Sequence, residues 1–177
     1  MKEIRRFLLI LLGIVISLVA FTQDFKAITQ KEMKKMSFMT GEWQGEGWVM
    51  TPEGMETSRV KETISYDLDN TVLRLRGVGT ADKDGVEVKV HDALGVLYFD
   101  PFRQQFGMSS WISKGMHTDA NVELLGEGRL KWWFEAGPAG TIRYTLKIEN
   151  NVWEEIGEMS QDGETWRQFF EMKLEKK

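Results

Sequence analysis

Regularly spaced turn signals divide the chain from Gly41 onward, and they constrain its fold more than any other feature. Between the signals, residues alternate with a period of two, as they do in strands whose two faces meet different surroundings. The signals recur about every 8 to 14 residues, and nine of them imply ten strands. They are Pro52-Glu53-Gly54, Asp69-Asn70, Asp84-Gly85, Asp100-Pro101, Lys114-Gly115, Gly126-Glu127-Gly128, Gly137-Pro138-Ala139-Gly140, Asn150-Asn151 and Asp162-Gly163.

Ten strands joined by tight turns favour one architecture. Such strands are antiparallel neighbours, and closing them into an up-and-down barrel removes the exposed edges. A barrel of this size is too wide for side chains to fill, so a cavity is expected. The sequence therefore predicts an all-β, about ten-stranded antiparallel barrel over residues 41–177. Its strands are predicted at 41–50, 56–68, 71–80, 86–99, 104–112, 116–125, 129–136, 141–149, 152–160 and 165–174.

One short helix is predicted in the lead-in, residues 23–40, between Asp24 and Met39. Thr29 and Glu32 have the spacing of a capping box, a pattern typical of helix starts. Apolar side chains recur close to one helical face, at Ile28, Met33, Met36 and Met39. We expect this helix to close one mouth of the barrel.

The first 22 residues have the pattern of a secretory signal peptide. Lys2, Arg5 and Arg6 precede an apolar stretch from Phe7 to Phe21, with cleavage expected near Thr22/Gln23. The stretch is shorter than the roughly 20 residues of a spanning helix, so no stable membrane span is expected after cleavage; retention as an anchor is the alternative. The predicted location is the periplasm or the exterior.

Charge and cysteine content exclude several classes of protein. Removing residues 1–22 takes three basic and one acidic side chain from totals of 23 and 27, which leaves a net charge of about −6. An acidic domain repels phosphate backbones, so nucleic acid is not an expected partner. With no cysteine in the chain, neither disulfides nor a lipidated N-terminal cysteine are available.

Three segments resemble known proteins. Gly41-Glu42-Trp43-Gln44-Gly45-Glu46-Gly47 resembles the Gly-x-Trp opening strand of lipocalin-like (calycin) barrels and of nitrobindin-like heme-binding barrels. His91–Val96 and the ending Ile156–Trp166, followed by Phe169–Met172, are similar to bacterial secreted proteins of the DUF1579 type. The resemblance covers residues 38–174 and implies a lipocalin/fatty-acid-binding-protein-like barrel with Trp43 at its closed end. It implies no activity.

The resemblance to nitrobindin-like barrels also implies a heme-ligating histidine on the last strand. The matching strand, Trp166–Met172, contains no histidine, and Met172 alone is a weak substitute. We therefore predict no heme of this kind, and no other cofactor.

No arrangement of residues predicts a catalytic or a metal site. The chain lacks cysteine and a Gly-x-Ser-x-Gly motif, and its only imidazoles, His91 and His117, lie on different predicted strands. Glu62, Glu154 and Glu158 are candidates for inward-facing carboxylates, the pairing that glycosidases use. Acidic residues on strands more often face solvent, so no catalytic pair is assigned.

Seven residues form the candidate cavity site: Trp43, Glu62, Arg74, Arg76, His91, Trp111 and His117. If the arginines face inward, a buried guanidinium needs a counter-ion. A ligand carboxylate would serve, as in fatty-acid-binding barrels, and Glu62 would serve equally well.

Three functions remain open at this point. The first is an exported binder of a small apolar or carboxylate ligand, which requires an accessible cavity. The second is a hydrolase or isomerase, which requires an interior His and Glu within hydrogen-bonding distance. The third is a protein- or glycan-binding module, which requires an exposed aromatic patch of a few hundred Å².

Overall fold

Ten antiparallel strands close into a barrel in the order β1-β10-β9-β8-β7-β6-β5-β4-β3-β2, so that every strand pairs with its neighbours along the chain and β1 pairs with β10. The computed structural model describes residues 24–177. The predicted up-and-down barrel is confirmed. The strands are β1 Gly41–Thr51, β2 Gly54–Asp67, β3 Val72–Lys83, β4 Val86–Asp100, β5 Gln105–Ile112, β6 His117–Gly126, β7 Arg129–Glu135, β8 Thr141–Glu149, β9 Val152–Ser160 and β10 Arg167–Lys176.

The turns form where the sequence places residues that tolerate a positive φ. Asn150 and Asn151 both adopt positive φ, 53° and 63°, which is the backbone of a two-residue hairpin turn. Asp84 and Gly85 do the same at 57° and 81°. Local chemistry therefore fixes these turns, and the turns fix the registers of the hairpins that they join.

A helix, α1 (Phe25–Met33), and the 3-10 helix Lys34–Met39 precede the barrel. The predicted capping box is wrong, because the helix begins one turn earlier: Asp24 is the N-cap and accepts a hydrogen bond from the Ala27 N–H at 3.0 Å. Thr29 is buried inside the helix. No helix among residues 24–177 has the length and apolar character needed to cross a membrane.

The helical segment covers one end of the barrel, called the closed end. Met33, Met36 and Met39 are buried against the inward-facing side chains of the strands. The Tyr66 hydroxyl on β2 donates to the Met33 carbonyl at 3.1 Å. The expectation that the helix closes one mouth is therefore confirmed. The predicted signal peptide, residues 1–22, lies outside the described residues.

Side chains alternate between the interior of the barrel, called the lumen, and its outer face. Near the closed end the inward positions are tightly packed; they include Trp43, Ile64, Leu73, Leu97, Leu130, Leu146, Trp153 and Leu174. Most charged side chains of the strands occupy the outward positions, many of them in ion pairs such as Lys173–Glu154 at 2.8 Å. The alternation thus gives the barrel wall a tightly packed inner face near the closed end and a polar outer face.

Candidate functional site

Away from the closed end, the inward-facing side chains of the lumen are less completely buried. Inward-facing apolar side chains in this region, among them Val49, Val60, Leu75, Phe134 and Phe170, keep part of their surface exposed. Because they point into the barrel, this exposure means that solvent enters the lumen from the opposite end, called the open end.

Trp43 forms the floor beneath this space. Its side chain is 1% exposed, and its indole N–H donates to the Met39 carbonyl at 2.8 Å. The ring meets Trp153 edge-on, with 5.6 Å between centroids. Trp43 therefore links β1, β9 and the helical segment at the closed end.

Glu62 on β2 pairs with Trp43 across the sheet and faces the lumen. Its carboxyl group lies over Gly77 of β3, where a Cβ atom would stand 2.5 Å from Glu62 Oε1. Burial raises the pKa of Glu62 to about 8; the charge of Glu155 adds to the rise, and the Arg76 guanidinium opposes it. Glycine at position 77 thus leaves the space that this acid occupies.

Glu155 on β9 is the second acid inside the barrel, and it is 6% exposed. Its oxygens accept hydrogen bonds from two indole N–H groups, Trp132 at 2.9 Å and Trp153 at 3.2 Å. Burial raises the pKa of Glu155 to about 7, although these hydrogen bonds favour the ionised form. The two tryptophans therefore hold a carboxyl group in an otherwise apolar wall.

An aromatic cluster lines the lumen beside Glu155. The rings of Trp132 and Tyr144 stack at 4.0 Å between centroids and 7° between planes. Phe134 stacks on Trp132 at 6.1 Å, and Phe170 meets Tyr144 edge-on at 5.6 Å. Burial raises the pKa of Tyr144, so its hydroxyl keeps its proton at any ordinary pH.

Gly157 makes room for this cluster, which gives a first prediction. A Cβ atom there would lie 2.7 Å from the Tyr144 ring and 2.9 Å from Phe170 Cβ. We expect Gly157→Ala to lower the free energy of unfolding by about 1–3 kcal/mol, the usual effect of overpacking. Urea unfolding measures the change, and Gly95→Ala is the matched control, since its Cβ would make only ordinary contacts of 3.4 Å or more. A loss for Gly157→Ala no larger than for Gly95→Ala would contradict the close packing.

The structure does not bring the seven predicted site residues together. Trp43, Glu62 and His91 face the interior, and His91 lies near the open end opposite Gly79. Trp111 and His117 stack on each other on the outer face, with centroids 5.0 Å apart, and His117 Nε2 lies 3.3 Å from Asp119 Oδ1. The outer pair therefore lies on the far side of the wall from the lumen.

The two arginines also lie on the outer face, so the expectation that they enter the cavity is corrected. Leu73 and Leu75, which alternate with them on β3, fill the interior instead. Arg74 is exposed beside Ser65, and Arg76 forms an ion pair with Asp92 and donates to the Ala93 carbonyl at 2.5 Å. A ligand carboxylate would find no arginine from β3 in the lumen.

The carboxylates of β9 also differ from the expectation. Glu154 and Glu158 face outward, where they pair with Lys173 and Arg143. Glu155, which the sequence reasoning missed, faces inward. Glu155 lies on the same face of β9 as Trp153 and Met159, because residues two or four apart on a strand point the same way. Those apolar residues mark the inward face, and this was the signal that could have identified Glu155.

The interior His–Glu pair required by the enzyme alternative is not formed. Within residues 24–177, no hydrogen bond joins His91 to Glu62 or Glu155, and no three His, Asp or Glu side chains are grouped so that they could hold a metal ion. Burial lowers the pKa of His91, which favours its neutral form.

The exposed aromatic side chains do not form one patch. Phe25 and Phe102 contact each other at the closed end, with centroids 4.7 Å apart. Trp111 lies on the wall of the barrel at the pairing of β5 with β6, together with His117. These exposed rings therefore lie in two separate places on the described surface.

The histidine positions give a prediction about heme. Strand β10 offers no histidine, and His117 faces away from the lumen, so we expect hemin to produce no saturable one-to-one shift of the Soret band. The measurement is a hemin titration followed by absorbance. A saturable shift that disappears in His91→Ala would overturn this prediction, with His117→Ala as the control on the outer face.

Comparison with known proteins supports the fold. No protein-family model matches the chain, and no curated protein sequence matches it. Among solved structures, the chain is similar to Rv2717c from M. tuberculosis, with a TM-score of 0.62 and 14% sequence identity over 82% of this chain and 96% of that one. At this identity the likeness concerns the fold alone, and it places the chain among closed β-barrel proteins of similar size.

Proposed function

We propose that this protein is exported and binds a small, largely apolar ligand inside its barrel. One observation carries the proposal: apolar and aromatic side chains line the part of the lumen that solvent reaches, while the helical segment and the Trp43 floor close the other end. Binding sites for small molecules are typically concave and mostly apolar, with a few polar groups that fix orientation. The lumen combines these properties.

The depressions on the outer surface suit an apolar ligand less well than the lumen does. Two of them are lined largely by charged and polar side chains. One lies among Lys147, Glu149, Asn150, Val152, Glu154 and Lys173, and the other among Tyr98, Asp100, Arg103, Gln105, Phe106, Gly107, Asp119, Ala120 and Asn121. An apolar molecule would gain less from such surfaces than from the lumen.

Export rests on the first residues of the sequence, where basic side chains precede an apolar stretch of signal-peptide length. Fractionation of the host cells tests it. A periplasmic or secreted protein whose N-terminus begins near Gln23 is the expected result, and a cytoplasmic protein that begins at Met1 would contradict it.

Two adjacent residues of β2 provide a matched test of lumen binding. Ser58 faces the lumen beside Gly79, and Thr57 faces outward. With the uncharged probe N-phenyl-1-naphthylamine, whose fluorescence rises in apolar surroundings, we expect saturable binding. Ser58→Trp should weaken it at least about fivefold by filling the lumen, and Thr57→Trp should leave it unchanged.

Absence of probe binding, or equal loss in the two variants, would overturn the proposal. Native mass spectrometry of protein purified from its own host then seeks the natural ligand. A co-purifying mass that is lost in Ser58→Trp and retained in Thr57→Trp is the expected result.

A further inference from the structure

The lumen contains acidic groups without basic partners. Glu62 and Glu155 both face inward, and the charge of Glu155 adds to the rise in the pKa of Glu62. Neither forms an ion pair with a lysine, arginine or histidine within residues 24–177, where the ion pairs of β1 to β10 lie on the outer face. Any molecule that enters the lumen therefore meets two carboxyl groups that form no ion pair with the described residues.

The two acids differ in the hydrogen bonds that the protein donates to them. Both oxygens of Glu155 already accept indole N–H bonds, from Trp132 and Trp153. Glu62 makes no hydrogen bond with any described residue, and its carboxyl group is only partly enclosed, so it keeps access to the lumen. A carboxyl group without a protein partner can accept hydrogen bonds from a molecule that enters the lumen.

Arg76 is not that partner. It lies behind Gly77 on the outer face, and its guanidinium is bound to the Asp92 carboxylate and the Ala93 carbonyl. The Arg76 charge acts on Glu62 across the barrel wall, and it only partly offsets the rise in the pKa of Glu62 that burial causes. A partner for the Glu62 carboxyl group therefore has to come from within the lumen.

The groups that share the lumen with Glu62 indicate what form this partner takes. The apolar wall suits a hydrocarbon body, and the π faces of the Trp132–Tyr144 cluster attract cations and repel anions. A ligand carboxylate would add a third negative group to a space with no positive one. An ammonium group would supply the hydrogen-bond donors and the positive charge that the protein does not provide to Glu62.

We propose that the lumen selects amphiphilic amines: molecules with an apolar body and a protonated nitrogen, which binds to Glu62. This inference rests on the proposed function and specifies the ligand class of the same site. Glu155 has a different task, since its oxygens are engaged; it holds Trp132 and Trp153 in place and adds to the negative potential. The bound nitrogen lies against Glu62 above Gly77, and the alkyl or aryl body extends along the apolar wall toward the open end.

A series of ten-carbon ligands tests the proposal by changing only the head group. Decylamine, 1-decanol and decanoic acid are each used at pH 7 to displace N-phenyl-1-naphthylamine from the protein. We expect the amine to bind at least about tenfold more tightly than the alcohol, because a charged hydrogen bond is added, and the acid to bind more weakly than the alcohol. Equal affinities would overturn the inference while leaving the proposed function intact.

Glu62→Gln then assigns the selectivity to one residue. The substitution should weaken the binding of decylamine about tenfold and change the affinity for 1-decanol less than twofold. The reason is that the amide keeps the volume of the acid and removes its charge. Glu46→Gln, on the exposed outer face of β1, is the matched control and should change neither affinity. Circular dichroism verifies that each variant is folded, and the wild-type ranking decides the question even if one is not.

Different results would overturn the proposed function, which is ligand binding in the lumen, and the selection of amines by Glu62. If neither the probe nor any of the three ligands binds, the proposed function is overturned together with this inference. If the amine preference persists in Glu62→Gln, the role of Glu62 is overturned even though the lumen binds apolar molecules.

Discussion

Replacing Trp43 by alanine is expected to lower the free energy of unfolding by about 3–5 kcal/mol, the usual range for deleting a buried tryptophan. The ring is 1% exposed and sits where β1, β9 and the helical segment meet. Its removal leaves a cavity under the lumen, and the Met39 carbonyl loses its indole donor. A smaller side chain cannot restore either contact.

Urea unfolding followed by circular dichroism measures the change. Trp111→Ala is the matched control, because this ring is 44% exposed on the outer face and packs mainly against His117. We expect the control to cost less than about 1 kcal/mol, as surface substitutions usually do. A Trp43→Ala loss as small as that of the control would show that the closed end does not depend on this ring.

Glu62→Gln is expected to stabilise the protein in alkaline solution and to leave its stability nearly unchanged near pH 4.5. The pKa of Glu62 rises from 4.5 when unfolded to about 8 when folded, so the folded state binds its proton more tightly. Stability therefore falls as pH rises from about 4.5 to 8, and the loss is complete above that range. Glu155, with a pKa of about 7, acts in the same direction.

The size of the stability change follows from the pKa shift of Glu62. At about 1.36 kcal/mol per pKa unit, the rise to about 8 corresponds to at most about 5 kcal/mol, and water in the lumen reduces it. We expect Glu62→Gln to raise the free energy of unfolding by about 2–4 kcal/mol at pH 8.5. Urea unfolding of both proteins at pH 4.5 and 8.5 gives the difference.

Glu154→Gln controls for the sign of this effect. Glu154 is the neighbour of Glu155 on β9, but it faces outward, and the hydrogen bond from Lys173 lowers its pKa. Its removal should therefore weaken the protein in alkaline solution rather than strengthen it. Equal stability of wild type and Glu62→Gln at both pH values would show that water in the lumen solvates Glu62 as fully as bulk solvent does.

Local patterns in the sequence predicted most of the barrel wall. All ten strands and nine turns occur where expected, and the bounds of 141–149 and 152–160 agree exactly. Turn geometry depends on a few adjacent residues, such as Asn150 and Asn151, whose side chains tolerate positive φ. The capping box failed because Asp24 offered a better N-cap, one turn earlier, to the same helix.

The candidate site was less predictable, because alternation separates two faces without saying which of them is the interior. Of the seven candidate residues, Trp43, Glu62 and His91 face inward, whereas the outer face carries the rest: Arg74, Arg76, Trp111 and His117. Irregularities in the pairing, as between Gln168 and Phe170, further shift the alternation along a strand. Both Phe169 and Phe170 consequently contact Tyr144.

The sequence alone determined the strands, the turns and the closure of the sheet, since these depend on neighbouring residues and on the number of strands. Only the tertiary structure decided that Glu62 and Glu155, on β2 and β9, share one lumen while the arginines of β3 stay outside. That choice depends on which set of side chains fits the enclosed volume. The enclosed volume depends on all ten strands once β1 pairs with β10, so no single segment of the sequence shows which side chains fit inside.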